Sequence, residues 1–245
     1  EDVISAPDVE SIYEIPVNFE KDNLSDILLK KLGLGAKKKD FSPWKKLVQT
    51  IRAVNKPLRI AIVGKYFKTG SFVLADSYIS VIEALRHAAY AAKRKPVLEW
   101  LDAEMFDPAL DKNWRKNLRM LEDFGGVLVP GGFGARGVEG KISAIRYARE
   151  NKIPYFGLCY GMQLMTIEYA RHMAKLVNAN TTEVDAKTSH PVIDILPDQK
   201  INLAVKNYGG TMRLGAYPAF LRKGTIARAT YGEDAVSERH RHRYE

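Results

Sequence analysis

The chain has 245 residues, of which 46% are hydrophobic and 27% are charged. This balance is typical of a soluble globular protein and excludes a mostly disordered chain. A single cysteine excludes an intrachain disulfide and a cysteine-based zinc site. The sequence contains no apolar run long enough for a membrane span and no signal peptide pattern, so we expect a cytoplasmic protein.

Lys and Arg outnumber Asp and Glu by 38 to 29, which gives a net charge of +9. Such an excess is compatible with nucleic acid, an anionic membrane or a nucleotide as partner. Part of it is local, because Lys30 to Lys46 is a lysine-rich stretch in which Asp40 is the one acidic residue. We interpret this stretch as a solvated linker, the alternative being a polyanion-binding patch. We therefore expect no nucleic acid and no membrane as partner.

Residues 1–57 do not show the pattern of an independent domain. Two strand-like stretches and two helices are predicted there: Asp2–Ala6, Ser11–Pro16, Leu24–Leu32 and Trp44–Val54. Their apolar side chains need a partner to cover them. We interpret residues 1–57 as the end of a preceding domain with a linker, and residues 58–245 as a second domain.

From Arg59 onward, strands alternate with helices. The predicted strands are Ile60–Val63, Val97–Leu101, Gly126–Val129 and Ile153–Leu158, and the predicted helices are Asp76–Lys93, Asn113–Leu121, Lys141–Glu150 and Met162–Val177. This alternation predicts an α/β fold with a mostly parallel sheet and helices on both faces. Ligands of such sheets bind beyond the carboxyl ends of the strands, here after Gly64, Val129 and Leu158.

After Val177 the alternation stops. Short strand-like stretches are predicted over His190–Leu196, Asn202–Lys206 and Thr225–Tyr231, which suggests an antiparallel excursion at one edge of the sheet. A last strand is predicted over Ser237–Glu245. A doubly wound domain needs a further strand and helix, so we expect the second domain to be C-terminally incomplete.

The strongest local signal is Gly157-Leu158-Cys159-Tyr160-Gly161, at a predicted strand-to-helix junction. It has the spacing of a nucleophile elbow with cysteine as the nucleophile. The helix N-terminus is expected to lower the pKa of the Cys159 thiol and favour the thiolate. The alternative, a small buried hydrophobic side chain, does not explain the flanking glycines.

A second signal is Pro130-Gly131-Gly132-Phe133-Gly134, directly after a predicted strand. Consecutive glycines leave backbone N–H groups free to point at an anion. Beside a thiol nucleophile, the N–H groups of Gly132 and Tyr160 would form an oxyanion hole. A plain glycine turn or a phosphate loop is the alternative, although the Gly-Lys-Ser/Thr ending of a Walker loop is missing.

The chain contains, in this order, the blocks Val63–Tyr66 (VGKY), Ser80–Leu85 (SVIEAL), Pro130–Gly137 (PGGFGARG), Gly157–Gln163 (GLCYGMQ), Asn178–Glu183 (NANTTE), Gly209–Gly215 (GGTMRLG) and Glu238–Glu245 (ERHRHRYE). These blocks resemble the glutamine amidotransferase domain of the CTP synthase family, in the family's own order. Asp8–Pro16 (DVESIYEIP) resembles the end of the family's amidoligase domain. The elbow alone would indicate only the class I amidotransferases and their flavodoxin-like fold. The blocks Gly209–Gly215 and Glu238–Glu245 are what indicates CTP synthases in particular.

The resemblance implies that Cys159 attacks the side-chain amide of L-glutamine, forms a γ-glutamyl thioester and releases ammonia. It implies an oxyanion hole at Gly132 and Tyr160. It also implies a set of glutamine-binding residues: Gly132, Tyr160, Gly161, Met162, Gln163, Glu183 for the α-amino group and Arg243 for the α-carboxylate. The Gly209–Gly215 block resembles a lid that responds to GTP, the family's allosteric activator.

For the full enzyme, the resemblance implies a homotetrameric ligase of pyrimidine biosynthesis that converts UTP to CTP with ATP and Mg²⁺. Its amidoligase domain would be the partner that receives the ammonia. Asp8 and Val9 match positions near the adenine of ATP, but the other ATP, UTP and Mg²⁺ sites would lie upstream of Glu1. We therefore expect no cofactor in this chain. We also expect no metal, although His240 and His242 alternate along one predicted strand face.

The sequence departs from the family in its general base, a histidine in a His-Pro-Glu motif. His190-Pro191 is followed by Val192 and lies in another block. We thus expect a nucleophile without its base, and greatly impaired hydrolysis by this polypeptide; the base is either deleted or outside this sequence. Two alternatives stay open: a stand-alone glutaminase or cysteine hydrolase of the same fold, and a non-catalytic binding or assembly module.

Overall fold

The structure is a computed structural model that describes residues 3–35, 39–65, 78–197, 199 and 212–245, and the backbone alone of 68–69 and 72–73. The chain divides into two compact units, Glu1–Leu58 with Ser80–Val97, and Arg59–Ile79 with Leu98–Glu245. Within these described ranges no helix has both the length and the apolar character needed to cross a membrane.

The first unit is built from helices. They are a 3₁₀ turn at Ile12–Glu14 followed by α1 (Ile15–Lys21), α2 (Leu24–Lys31), α3 (Ser42–Ala53) and most of α4 (Ile79–Ala91). Helix formation over α2 and α3 was predicted. The strand predicted over Ser11–Pro16 is wrong, because proline fits the first turn of a helix, where its missing N–H is not needed. Residues 3–6 form no strand either.

Tyr13 is the central side chain of the first unit. Its hydroxyl donates to Glu83 and lies 2.7 Å from His87 Nε2, and its carbonyl accepts from Trp44 Nε1 at 2.8 Å. Its ring packs edge-on against Tyr90, with centroids 6.3 Å apart. Burial, together with the Glu83 carboxylate, raises the pKa of Tyr13 to about 12, so the phenol remains neutral. The N-terminal segment therefore has a packed partner in α4.

The central sheet contains β1 (Pro57–Gly64), β4 (Lys95–Asp102), β5 (Gly126–Val129) and β6 (Tyr155–Gly157), in the order β4-β1-β5-β6. A separate short hairpin is formed by β2 (Lys68–Thr69) and β3 (Phe72–Val73). β1 pairs with β5 and β5 with β6, both in parallel. Ala61, Ile62 and Val63 have no exposed surface, which is typical of a strand covered on both faces. The predicted α/β fold with a parallel sheet is confirmed.

The helices that accompany this sheet are α5 (Trp114–Arg119), α6 (Val138–Glu150) and α7 (Tyr160–His172). They enclose a core that includes Phe106, Leu121, Ile145, Leu164 and Ile167. A side-chain carbon on Gly140 of α6 would lie 1.9 Å from the carbonyl oxygen of Ala103. Glycine at this position therefore lets the first turns of α6 press directly against the 3₁₀ turn Ala103–Phe106.

Beyond α7 the chain forms β7 (Asn180–Thr181) and β8 (Pro191–Ile193), and then β9 (Arg213–Phe220), α8 (Ile226–Tyr231) and β10 (Ala235–His242). β9 and β10 pair antiparallel along their whole length and form a sheet of their own in the described chain. An antiparallel sheet is thus present, separate from the central sheet rather than at its edge. It is not formed by the stretches predicted for it, since His190–Leu196 contains β8, which pairs in parallel with β7.

One predicted strand of this region is a helix. Thr225–Tyr231 is rich in strand-favouring residues, but the Thr225 side chain caps α8 by accepting from the Arg228 N–H at 3.2 Å. Gly232, with a φ of 77°, ends the helix. The strand predicted over Asn202–Lys206 lies outside the described residues.

Candidate active site

Cys159 lies at the sharp turn between β6 and α7, as predicted. Its backbone has φ 51° and ψ −106°, a combination that is costly for a residue with a side chain. The turn is held by backbone hydrogen bonds, from the Leu158 N–H to the Val129 carbonyl at 3.0 Å and from the Gly161 N–H to the Leu158 carbonyl at 2.9 Å. This is the geometry of a nucleophile elbow, and it leaves Cys159 half-buried.

The two glycines that flank the elbow are sterically required. A side-chain carbon on Gly157 would lie 2.6 Å from the Gly161 carbonyl carbon. One on Gly161 would lie 2.1 Å from the carbonyl oxygen of Val129 on the neighbouring strand. Both distances are far below van der Waals contact. The turn can be this tight only because positions 157 and 161 carry no side chain.

The glycine loop after β5 passes directly against the thiol. A side-chain carbon on Gly131 would be 3.7 Å from Cys159 Sγ. The backbone N–H groups of Tyr160 and Gly132 both lower the pKa of the Cys159 thiol, so both favour the thiolate. The two N–H groups that the sequence analysis paired therefore converge at one place. Two backbone donors beside a nucleophilic sulfur are the elements of an oxyanion hole.

The thiol is nevertheless less acidic than the sequence predicts. Burial raises the pKa of Cys159, the N–H groups of Tyr160 and Gly132 lower it, and the Glu183 carboxylate raises it. The net direction is upward. The expectation of a lowered thiol pKa is therefore wrong, because desolvation outweighs the two backbone N–H groups.

Tyr160 and Glu183 connect the elbow to the glycine loop. The Tyr160 hydroxyl donates to the Gly134 carbonyl at 2.8 Å, and the Gly134 N–H donates to Glu183 Oε1 at 2.9 Å. The Lys65 ammonium donates to the carbonyl of Phe133 in the same loop. These contacts bring Glu183 next to the loop that carries Gly132, although 49 residues separate Glu183 from Gly134 in the chain.

The segment that carries Arg243 is also joined to the elbow helix. Gln163 Nε2 donates to the carbonyl of Tyr244 at 2.7 Å, and the Leu196 N–H donates to the carbonyl of Arg243 at 2.9 Å. Gln163 is buried, whereas Met162 of the same turn is exposed. Of the predicted lid block, Met212 precedes β9 and residues 213–215 form its start, and residues 209–211 lie outside the described residues.

Two residues of this site escaped the sequence analysis. Tyr155 donates its hydroxyl to the Gly161 carbonyl at 2.8 Å and so supports the elbow from β6. Lys141 of α6 places its ammonium 5.3 Å from the centre of the Tyr160 ring. A lysine in the first turn of a predicted helix gave no signal of burial.

Among the described residues, one group of side chains places metal-type donors close together. His240, His242 and Glu245 each bring one donor atom, all within 4.8 Å of one another. Arg213 pairs with Glu245 Oε2 at 2.6 Å, which places a cation beside the group and disfavours a divalent ion.

The first unit contains a cleft of about 560 Å³. Its lining combines the segment Glu10–Glu14 with Arg52, Arg86 and Lys95. Asp8, expected near a nucleotide in the full enzyme, is exposed and is not among the lining residues. The cleft carries charges of both signs.

Comparison with known proteins identifies the family. The family model described as glutamine amidotransferase class-I matches residues 73–245. The chain belongs to the class-I glutamine amidotransferases. The elbow and the glycine loop described above both lie within the matched part of this amidotransferase.

Relatives of known name add detail. The chain is 46% identical over 245 residues to a CTP synthase of Thermococcus gammatolerans and 47% identical over 244 residues to one of Geobacillus kaustophilus. It spans 43% of the length of each of these relatives. A solved structure titled Trypanosoma brucei CTPS glutaminase domain with bound acivicin superposes with a TM-score of 0.65 at 36% identity. That match covers 77% of this chain and 67% of the other.

Proposed function

We propose that this chain is the glutaminase part of a CTP synthase and that Cys159 attacks L-glutamine to form a thioester. The observation that carries the proposal is the elbow at Cys159, with φ 51° and ψ −106°, and the glycine loop that passes directly against its sulfur. The named relatives, which match the chain from end to end, support the assignment to CTP synthase over a stand-alone glutaminase. The glutaminase neighbour with bound acivicin supports an amino-acid ligand for the site.

The first chemical step follows from this geometry. The Cys159 thiolate adds to the side-chain amide carbon of glutamine, forming a C–S bond and placing negative charge on the amide oxygen. The N–H groups of Tyr160 and Gly132 stabilise that oxygen, because backbone donors held in place need no reorganisation as the charge develops. The C–N bond then breaks, nitrogen takes up a proton and leaves as ammonia, and water hydrolyses the thioester.

Recognition of the amino acid is assigned to two charged residues. Glutamine carries an ammonium and a carboxylate, so its site needs one partner of each sign. Glu183 is proposed for the α-amino group and Arg243 for the α-carboxylate. The hydrogen bond from the Gly134 N–H to Glu183 and the contact of Gln163 with Tyr244 support their placement beside the elbow. Gly161, Met162 and Gln163 are proposed to line the glutamine site.

The remaining assignments concern the whole protein. Residues 1–57 are proposed as the end of an amidoligase domain with its linker, and residues 58–245 as the amidotransferase domain. The amidoligase domain would use ATP and Mg²⁺ to aminate UTP to CTP, with GTP as activator and a tetramer as the assembled form. We propose that ammonia from Cys159 is its nitrogen source.

Labelling with diazo-oxonorleucine, an electrophilic glutamine analogue, tests the first step. We expect one adduct, located on Cys159 by peptide mass spectrometry, with protection by L-glutamine and none by D-glutamine. Cys159→Ser is the matched control and should stay unlabelled. If iodoacetamide alkylates the folded protein while the analogue does not react, the site is a binding module and the proposal fails.

A second experiment separates CTP synthase from a stand-alone glutaminase. In the full-length parent protein, Cys159→Ser should abolish CTP formation from glutamine and leave CTP formation from free ammonia intact. A parent that forms no CTP from UTP, ATP and ammonia would contradict the assignment to CTP synthase without affecting the thioester step.

A further inference from the structure

The second unit buries a lysine beside its elbow. Lys141 is 2% exposed and lies in the first turns of α6. The backbone N–H of Lys141 donates to the Gly137 carbonyl at 3.2 Å, and the adjacent Gly140 is packed against Ala103. The backbone at this point is therefore fixed, and the side chain is directed inward, where its ammonium lies 5.3 Å from the centre of the Tyr160 ring.

Tyr160 is the residue through which this contact reaches the site. Its ring is 1% exposed, its hydroxyl donates to the glycine loop at Gly134, and its own N–H acts on the Cys159 sulfur. A shift of the ring would therefore move a donor of the oxyanion hole and loosen the loop that carries the other, Gly132. An aromatic side chain that is packed on all sides transmits such a shift to its backbone.

We propose that Lys141 is a positioning residue of this site, its ammonium holding the Tyr160 ring so that the Tyr160 N–H stays beside the Cys159 sulfur. A cation over an aromatic face is attracted by the ring, and more strongly when water is excluded, as it is here. The inference rests on the arrangement of the site and is independent of the identity of the substrate.

The charges that face Lys141 set the pH at which this contact is lost. Burial and the like charge of Lys65 at the end of β1 lower the pKa of Lys141 to about 8, and Asp102 at the end of β4 acts in the opposite direction. The Tyr160 phenol remains neutral because burial raises its pKa. Lys141 is therefore charged at neutral pH and becomes neutral as the pH rises past 8.

The other carboxylates on the neighbouring elements have partners elsewhere. Glu104 pairs with Arg136, the Asp107 carboxylate accepts from the Ala109 N–H at 2.8 Å, and Glu168 of α7 pairs with Arg149 at 2.8 Å. Lys65 and Asp102 are thus the charges that act on the titration of Lys141.

Alkylation of Cys159 by iodoacetamide tests the inference, because the chain has one cysteine and the reagent is uncharged. The test variant is Lys141→Met, which keeps the volume and removes the charge. The control is Lys116→Met, at an exposed lysine of α5. We expect Lys141→Met to slow alkylation roughly tenfold near neutral pH, since the thiolate loses part of its stabilisation. The difference from wild type should shrink toward none at about pH 10, where the wild-type Lys141 is also uncharged.

A purely structural role would give a ratio of rates that does not change with pH, and that result overturns the inference. Equal rates for wild type and Lys141→Met at neutral pH overturn it as well. If Lys141→Met does not fold, the pH dependence of the wild-type alkylation rate decides. This rate should depart from the curve of a single thiol ionisation near the pKa of Lys141, and a curve with one ionisation contradicts the proposal. Failure of the glutamine analogue to label Cys159 would refute the proposed function and leave this readout unaffected.

Discussion

The elbow and the two-stranded sheet of β9 and β10, called the hairpin below although α8 lies between its strands, both contribute to the proposed site. They are held in place by different means. The elbow is fixed by backbone atoms in near contact, such as Gly161 against the carbonyl of Val129, and by buried side chains. The hairpin is held by its own ladder, which pairs Arg213 with His242 and Phe220 with Ala235, and many of its side chains are exposed.

This difference separates chemistry from recognition. The sulfur and its two N–H donors must keep their positions to within a fraction of an ångström, so they belong to the core. A charge that binds the end of an amino acid tolerates more movement, and Arg243, proposed for that role, follows a strand with many exposed side chains. We therefore expect substitutions in the elbow to be costly and those in the hairpin to be mild.

The largest effect is expected for Gly161→Ala. The new methyl group would lie 2.1 Å from the Val129 carbonyl oxygen, so strand and helix must move apart. We expect a loss of about 3 kcal/mol in the free energy of unfolding, measured by urea denaturation. Gly215→Ala in the hairpin is the matched change. It meets nothing within 4 Å but has a φ of +97°, and it should cost about 1 kcal/mol from backbone strain. Equal losses of unfolding free energy in Gly161→Ala and Gly215→Ala would contradict the difference between elbow and hairpin.

An intermediate effect is expected for Tyr160→Phe. The variant keeps the ring and leaves the Gly134 carbonyl without the hydroxyl that donates to it at 2.8 Å. We expect a loss of about 1 kcal/mol in stability and slower labelling of Cys159 by the glutamine analogue, because the glycine loop loses one of its ties. Unchanged labelling would show that the loop holds its place without the tyrosine hydroxyl.

The smallest effect is expected for Arg213→Met in the hairpin. Arg213 pairs with Glu245 at 2.6 Å, and both side chains are about one-third exposed. Solvent screens such a pair, so we expect a loss of about 0.5 kcal/mol at low salt that fades at high salt. Urea denaturation at two ionic strengths measures it. A loss as large as that of Gly161→Ala would show that the hairpin is held as rigidly as the elbow.

The elbow was predictable from sequence because its requirements are local. A tight strand-to-helix turn needs glycine at two fixed distances from the nucleophile, and Gly157 and Gly161 supply that pattern. The glycine loop was predictable for the same reason. The parallel sheet followed from runs such as Ala61–Val63, whose apolar side chains fit a strand buried on both faces.

Features that depend on distant parts of the chain were not predictable from local pattern. The approach of Glu183 to Gly134 is set by packing after α7, and only the family resemblance pointed to it. Lys141 gave no signal, because a lysine early in a helix is usually solvated. The thiol pKa was misjudged because the degree of burial of Cys159, which decides the balance, cannot be read from neighbouring residues.

Because positions 157 and 161 accept no side chain, a new group near the bend is better mounted at position 159, which already carries one. The chain has no second sulfhydryl, so a fluorophore or spin label attached at Cys159 would be unique in the molecule. Its attachment point would lie against Gly131 of the glycine loop. Such a reporter would show, in real time, whether that loop moves.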